Sequence, residues 1–117
     1  MIHTTNNTLS SLSAFEKKID VTANNIANVL TDEFKKSRVT MQEGEPEGVK
    51  AVIDRVEIQG FPKESIIDGD TVTVESSNVD LSEELPEMII ARSAHGANLK
   101  ALKSYNDMMG SLLDIFG

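Results

Sequence analysis

The sequence predicts a mostly α fold with a small β part: two long terminal helices that pair as an α-helical hairpin or coiled coil, with a short β-hairpin insertion between them. Three observations predict it. Apolar residues recur at steps of three and four near both ends, and the middle switches to alternation bounded by Gly, Pro and Asp. The chain has 117 residues, enough for one domain with a modest core. Only 39% of them are hydrophobic and 4% aromatic, with no Trp, so that core must be aliphatic and thin. Such a chain suits a helix pair completed by neighbours better than a self-sufficient globule.

The first helix is expected over residues 5–31. Leu9, Leu12, Phe15, Ile19, Ala23, Ile26 and Leu30 form one apolar stripe, with Glu16, Lys17, Lys18, Asp20 and Asn24 opposite. Asn7 or Thr8 suits the N-cap, with a start near Thr5 as the alternative. Thr31 and Asp32 mark the exit, followed by a short polar stretch holding Lys35, Lys36 and Arg38.

The middle opens on the turn-rich acidic run Glu43-Gly44-Glu45-Pro46-Glu47-Gly48. Val49, Ala51 and Ile53 then alternate with polar residues, and so do Val56 and Ile58. The phase flips between Ile53 and Val56, which a bulge or a strand break near Asp54-Arg55 explains. Ile66-Ile67, Asp68-Gly69-Asp70 and Thr71-Val72-Thr73-Val74 read as a hairpin. An isolated hairpin is marginal in water, so this region must lean on the helices or on a neighbour.

The last helix, over residues 80–115, has the strongest pattern. Leu81, Leu85, Met88, Arg92, His95, Leu99, Leu102, Asn106, Met109, Leu113 and Phe116 follow an unbroken alternation of four and three, a heptad frame. Asp80 followed by Glu83 fits a capping box. Pro86 removes one backbone hydrogen bond inside the helix, so a kink or an irregular first turn is expected. The domain organisation is thus residues 1–39 and 80–117 as one discontinuous helical unit, and 40–79 as a β-rich insertion.

Charge and composition exclude several functions. A net charge of −8 argues against nucleic acid, whose phosphates need a basic face, and against anionic membrane surfaces. No apolar run is long enough to span a membrane, so no direct membrane insertion is expected. The absence of cysteine excludes disulfide and thiolate chemistry. His3 and His95 are the only histidines and offer no metal-ligand spacing. Asp68-Gly69-Asp70 lacks the rest of a calcium loop. No catalytic residues, metal site or cofactor are expected: a sugar-cleaving enzyme needs a convergent carboxylate pair in a cleft, whereas the acids are scattered over loops and helix starts and so few aromatics make a poor sugar cleft. The residues 1–8 are polar and lack the basic-then-apolar layout of a cleaved signal peptide, so any export is expected to use a route without one.

Two stretches are distinctive. One is Asp20-Val21-Thr22-Ala23-Asn24-Asn25-Ile26-Ala27-Asn28, running on to Thr31-Asp32-Glu33-Phe34-Lys35. The other is Ser77-Asn78-Val79-Asp80-Leu81-Ser82-Glu83-Glu84-Leu85, with Met88-Ile89 and Arg92-Ser93-Ala94-His95-Gly96-Ala97-Asn98 after it. Together they resemble the N- and C-terminal signatures of the flagellar basal-body rod and hook protein family, and the short middle resembles the small proximal-rod members. Glu33 stands where that family usually has glycine, and His95 where it usually has tyrosine.

The resemblance implies a structural subunit of the bacterial flagellar rod. It implies export from the cytoplasm by the flagellar type III apparatus, and assembly in the periplasm with itself and other rod or hook-basal-body proteins. The terminal helices would then form an axial tube. The residues it implicates in helix packing and assembly are Asn24, Asn25, Ile26, Ala27, Asn28, Phe34, Asn78, Val79, Asp80, Leu81, Met88, Ile89, Arg92, His95 and Asn98. Asn25 and Asn28 border the apolar stripe, where an amide either fixes register between helices or sits at a fraying helix end; the resemblance favours the register role. The alternative is a divergent rod-like adaptor or export-regulating coiled-coil binding module.

Overall fold

The computed structural model describes residues 2–117; Met1, the first residue of the polar N-terminal run, lies outside them. Helix α1 (Ile2–Ala27) is followed by strands β1 (Ser37–Glu43), β2 (Val49–Arg55), β3 (Pro62–Ile67) and β4 (Asp70–Glu75), and helix α2 (Leu81–Phe116) closes the chain. The mostly helical fold with a small β insertion is the one the sequence predicts. The insertion holds two antiparallel hairpins, β1–β2 and β3–β4, each a separate two-stranded sheet.

The helices pair antiparallel: Lys18 of α1 meets Glu87 of α2 at 2.6 Å, and the later residue Asn25 meets the earlier Glu84. The β1–β2 hairpin lies along α1. Ser37, at its start, bonds Asn25, while Val49 N–H donates to Ser10 Oγ at 3.1 Å and Glu47 sits 3.1 Å from His3. Helix α1 is thus the element on which both α2 and β1–β2 lean, whereas β3–β4 packs on neither helix. The molecule is elongated, 77 × 24 × 22 Å.

Helix α1 starts earlier than the expected cap at Asn7 or Thr8. Thr8 Oγ1 instead donates to the Thr4 carbonyl, and Ser10 Oγ to the Asn7 carbonyl, each at 2.9 Å. Those hydroxyls are satisfied inside the helix, so they need not cap it. The helix also stops earlier than Thr31. Asn28 donates to the Asn24 carbonyl twice, from its N–H at 3.2 Å and from Nδ2 at 2.8 Å, and the chain then turns away. A four-residue turn follows, closed by Phe34 N–H on the Thr31 carbonyl, with Glu33 in the left-handed region at φ 60°.

Strand β1 is not among the strands read from sequence: its first residues fall beside the polar stretch of Lys35, Lys36 and Arg38, and the rest at the start of the expected β-rich insertion over 40–79. It forms because its register with β2 puts Val39 opposite Ile53 and Met41 opposite Ala51, so a row of apolar pairs shares one face. The phase flip after Ile53 is a strand break. Strand β2 ends at Arg55, and Val56 N–H then bonds the Lys36 carbonyl at 2.9 Å. The β3–β4 hairpin forms as expected. Ile67 pairs with Asp70 across the two-residue loop Asp68-Gly69, whose φ values of 54° and 89° are those of a tight primed turn.

In α2 the buried seam differs from the expected frame. Glu84 and Ala91 are buried, and Met88, His95, Asn98, Leu102, Tyr105 and Met109 are half-buried. These still step by four and three, but the frame is rotated by one residue at every second position. Leu85, Arg92, Leu99 and Asn106 face solvent instead. The interface is anchored by a small residue and a hydrogen-bonded carboxylate, not by the largest apolar side chains. Among the described residues only Ala14 and Ala91 are fully buried apolar residues, so the core is as thin as composition predicts.

The capping box is also replaced. Asp80 is the N-cap, but its carboxylate accepts from Ser82 N–H at 2.9 Å and Ser82 Oγ at 2.6 Å, not from the Glu83 amide. Glu83 cannot reach back because it is drawn to Lys36. Pro86 occupies an exposed position inside α2 without ending it.

Candidate functional site

The distinctive residues of the two ends converge where α1 stops, β1 starts and α2 starts. Asn25 is the centre. Its side chain accepts Ser37 N–H at 3.0 Å and donates back to the Ser37 carbonyl at 2.8 Å, completing the ladder at the start of β1. Its amide nitrogen also donates to Glu84 Oε2 at 3.1 Å. Asn25 is 1% exposed, so each of these bonds replaces one that water would otherwise supply. One side chain therefore ties together a helix, a strand and the second helix.

Glu84 is itself buried. A buried carboxylate is costly unless its charge is met. Lys36, also buried, supplies that charge: its Nζ lies 3.8 Å from Glu84 and 2.7 Å from Glu83. Lys36 is in turn held by its backbone, whose N–H donates to Asn78 Oδ1 at 2.6 Å.

Asn78 is the second clamp. Its Nδ2 donates to the carbonyls of Val56 and Ile58 at 2.9 and 2.8 Å, and its N–H to Phe34 at 3.2 Å. These carbonyls belong to the segment after β2 and to the turn after α1, which have no ladder of their own. Asn78 thus satisfies backbone groups that the irregular chain leaves open. Ser77, buried beside it, accepts Val79 N–H at 3.2 Å.

A third pairing fixes the β3–β4 hairpin to the turn. Glu33 N–H donates to the Glu75 carbonyl at 2.8 Å, and Lys63 meets Asp32 at 2.6 Å. The Glu75 carboxylate takes Lys35 Nζ and, at 2.5 Å, Gly60 N–H. The Lys35 hydrogen bond first, and the Gly60 amide second, hold the Glu75 carboxyl below its usual value. The Asp80 carboxyl is likewise lowered, chiefly by the Ser82 hydroxyl and then the Ser82 amide.

Not all the residues singled out from sequence meet here. Asn25, Phe34, Asn78, Val79, Asp80 and Leu81 do. Asn28 bonds only within its own helix end, to Asn24 and to Thr31 Oγ1. Asn24 and Ala27 are exposed, and Ile26 is half-buried. Met88, Ile89, Arg92, His95 and Asn98 are spread along α2. At 1.5 Å per residue Asn98 stands about 21 Å from Glu84. Of these, Met88, His95 and Asn98 lie on the buried seam, while Ile89 and Arg92 are exposed.

Sequence reasoning missed Lys36, Ser37 and Glu84. The acids Glu83, Glu84 and Glu87 read as favourable charges on a helix N-terminus. The signal that identifies them is the set of lysines Lys18 and Lys36 on and after α1, which they meet at 2.6–3.8 Å.

Chemically the junction is a brace. Its donors and acceptors are spent on one another. No group of three or more His, Asp or Glu side chains among the described residues is placed to hold a metal ion. No helix among them is long and apolar enough to cross a membrane.

Two family models match the chain. Residues 73–115 match the model described as flagellar basal body rod FlgEFG protein C-terminal. Residues 6–35 match the model described as flagella basal body rod protein. Together the matches take in more than half of the chain, and they meet at the brace: Asn25 lies in one, Asn78 and Glu84 in the other. No curated protein is matched significantly by the chain.

Proposed function

We propose that this chain, which belongs to the flagellar basal-body rod protein family, is a structural subunit of the rod that associates with copies and relatives of itself through its terminal helices into an axial tube. Rod proteins are structural components of the flagellar basal body, and this chain is read as one with no catalytic role.

One observation carries the assembly reading. The seam that α2 buries on α1 leaves a second row of apolar side chains uncovered. Leu85, Ile89, Leu99, Leu113 and Phe116 are 49%, 68%, 48%, 67% and 86% exposed. Exposed apolar surface that extends beyond scattered single residues marks an interaction site. Both signatures support the choice of neighbours, since they are shared with other rod and hook-basal-body proteins.

In this reading the brace at Asn25, Asn78 and Glu84 fixes how the two helices sit before they meet neighbours. Asn24, Ile26, Ala27, Asn28, Phe34, Val79, Asp80, Leu81, Met88, Ile89, Arg92, His95 and Asn98 complete the packing signature. The chain reaches its place in the periplasmic part of the basal body after export by the flagellar apparatus. Of the β region only the β3–β4 hairpin projects from the helical core, because it packs on neither helix while β1–β2 lies along α1.

The test is deletion of the gene followed by imaging of isolated basal bodies. The reading expects a rod that is missing or truncated at one level. An intact rod carrying normal filaments overturns it. Purified protein is also expected to co-sediment with related rod proteins.

A further inference from the structure

The β3–β4 hairpin packs on neither helix, and its two edges differ. In an antiparallel ladder, opposed pairs that exchange hydrogen bonds alternate with pairs whose N–H and C=O point away from the partner strand. Ile67 and Asp70 flank the two-residue turn, and Ser76 N–H bonds the Phe61 carbonyl beyond the other end, which fixes the alternation. Val72 and Val74 direct their backbone groups at β3, whereas Thr71, Thr73 and Glu75 turn theirs outward. The Glu75 carbonyl meets Glu33 N–H there, at 2.8 Å. The backbone groups of Thr71 and Thr73 meet no protein group outside the hairpin among the described residues.

This edge is also the unprotected one. Natural edge strands are blunted by Pro, Lys and other charged residues. Strand β1 carries Arg38, β2 carries Lys50 and Arg55, and β3 opens on Pro62-Lys63-Glu64. Between Asp70 and Glu75, β4 reads Thr71-Val72-Thr73-Val74, uncharged and β-branched throughout.

We infer that β4 of one copy pairs antiparallel with β4 of a second copy, each Val72 opposite its counterpart, to give a four-stranded sheet across a two-fold axis. This contact uses neither terminal helix and does not rest on the tube proposed above.

Three features commit the edge to a second copy. First, its open groups are self-complementary. With Val72 at the centre, Thr71 of each copy faces Thr73 of the other, and each such pair exchanges both of its N–H···O bonds. Secondly, Glu33 sets the register. A pairing centred on Thr73 needs the Glu75 carbonyl, which Glu33 already holds. With Val72 at the centre, the second strand turns away at Gly69, short of the place that Glu33 occupies. Thirdly, no two carboxylates stand face to face. Asp70 falls opposite Val74 and Glu75 opposite Gly69, while Val72 and Val74 of both copies gather on one face.

The size of the contact sets its strength. So short an edge buries on the order of 300 Å² per copy, against the ~800 Å² that each partner gives to a stable interface. The pair is therefore weak and forms at high concentration. Each copy carries a net charge of −8, so added salt is expected to tighten it. The same edge is used on both copies, so the contact closes on itself and does not grow.

The chain has no cysteine, so an engineered one reports proximity without background. Opposed residues of a non-hydrogen-bonded pair hold their Cβ atoms about 4.5–5.5 Å apart, close to disulfide range. Val72→Cys and, as a control on the other strand, Ile66→Cys are made in the full chain and oxidised mildly at high concentration. Val72 is 41% exposed and Ile66 75%, so exposure alone favours the control. The expected result is the reverse, a disulfide dimer formed several-fold faster by V72C. Thr73→Pro supplies the second arm. The Thr73 N–H points away from β3, so the hairpin keeps its ladder while the edge loses a donor. V72C carrying T73P is expected to lose the several-fold advantage. Thr73→Lys, which leaves the backbone unchanged, is expected to reduce it too and covers the case in which proline disturbs the hairpin. In the unmodified chain, amide exchange at Thr71 is expected to slow several-fold as concentration rises.

Equal oxidation of V72C and I66C, or an advantage that survives both substitutions at Thr73, overturns the pair. Slowed exchange at Thr71 that appears only when a related rod protein is added overturns the second copy as the occupant. Co-sedimentation of T73P with related rod proteins is expected to match that of the unmodified chain, so failure of the β4 pair and failure of the rod reading are separate results.

Discussion

Asn25 and Glu84, 59 residues apart in the chain, share a hydrogen bond of 3.1 Å at a point where neither is open to water. That bond joins the two ends of the sequence, and the bonds of Asn25 to Ser37 join both to β1. Replacing Asn25 with Leu removes three hydrogen bonds at once. It leaves the Ser37 N–H and carbonyl without their partner and Glu84 short of a donor. Each buried group left unsatisfied costs about 1–3 kcal/mol. Asn25→Leu is therefore expected to destabilise the chain by at least about 3 kcal/mol, read as a lower urea midpoint. A loss below about 1 kcal/mol would show that the brace is dispensable.

Glu33 sits at φ 60°, in a turn whose third position favours glycine. A side chain in the left-handed region costs about 1–2 kcal/mol. Its backbone is useful, because Glu33 N–H holds the Glu75 carbonyl, and no ion pair forms at its carboxylate among the described residues. Glu33→Gly keeps the hydrogen bond and relieves the strain, offset in part by the greater freedom of glycine in the unfolded chain. The net expectation is a gain of about 0.5–1 kcal/mol in thermal or urea unfolding. Glu33→Val, with its branched Cβ, is expected to lose stability at the same position.

How far the sequence could be read depended on what each element needs locally. The two helices and the Asp68-Gly69 turn are legible because their signals are local: a period of three and four, and a dipeptide that tolerates positive φ. Strand β1 was not, because Arg38, Thr40 and Gln42 outweigh Val39 and Met41 until β2 lies alongside. The seam of α2 was misread at every second position for a related reason. Leu85 and Leu99 are more apolar than Glu84 and Asn98, but the fully buried point of α2 is Ala91, and Glu84 has buried partners in Asn25 and Lys36. Asn25 was recognisable as a polar residue at an apolar border. Its partners were not, since Ser37 is met through its backbone and Lys36 carries a charge that normally signals solvent.

Two glycines in different settings give a paired prediction. A Cβ at Gly60 would stand 1.9 Å from the Ser76 carbonyl oxygen, a backbone atom that cannot step aside. Gly60→Ala must push apart the segment that also donates to Glu75, and is expected to cost more than about 2 kcal/mol. Gly96 lies inside α2, and a Cβ there meets nothing within 4 Å. Gly96→Ala is expected to stabilise the free chain by about 0.5–1 kcal/mol through helix propensity. Both are read from denaturation midpoints. Equal effects at the two sites would contradict the close approach at Gly60.

The response to acid follows from Glu75 and Asp80. Both carboxyls are held below their usual values in the folded chain, Glu75 chiefly by Lys35 and Asp80 chiefly by Ser82. Between the ordinary and the lowered value, the unfolded chain binds more protons than the folded one. Stability contributed by these groups is therefore fully present above the ordinary carboxylate range near pH 4, and is lost as pH falls through the lowered values. Thermal midpoints are expected to be flat from pH 7 to about 5 and to decline below that. Glu75→Gln with Asp80→Asn should lower the midpoint at neutral pH and flatten the decline. The β3–β4 hairpin, tied to the turn through Glu75, should loosen first, seen as faster amide exchange at Val74 and Glu75 than along α1. An acid response unchanged in the double variant would show that it does not arise from Glu75 and Asp80.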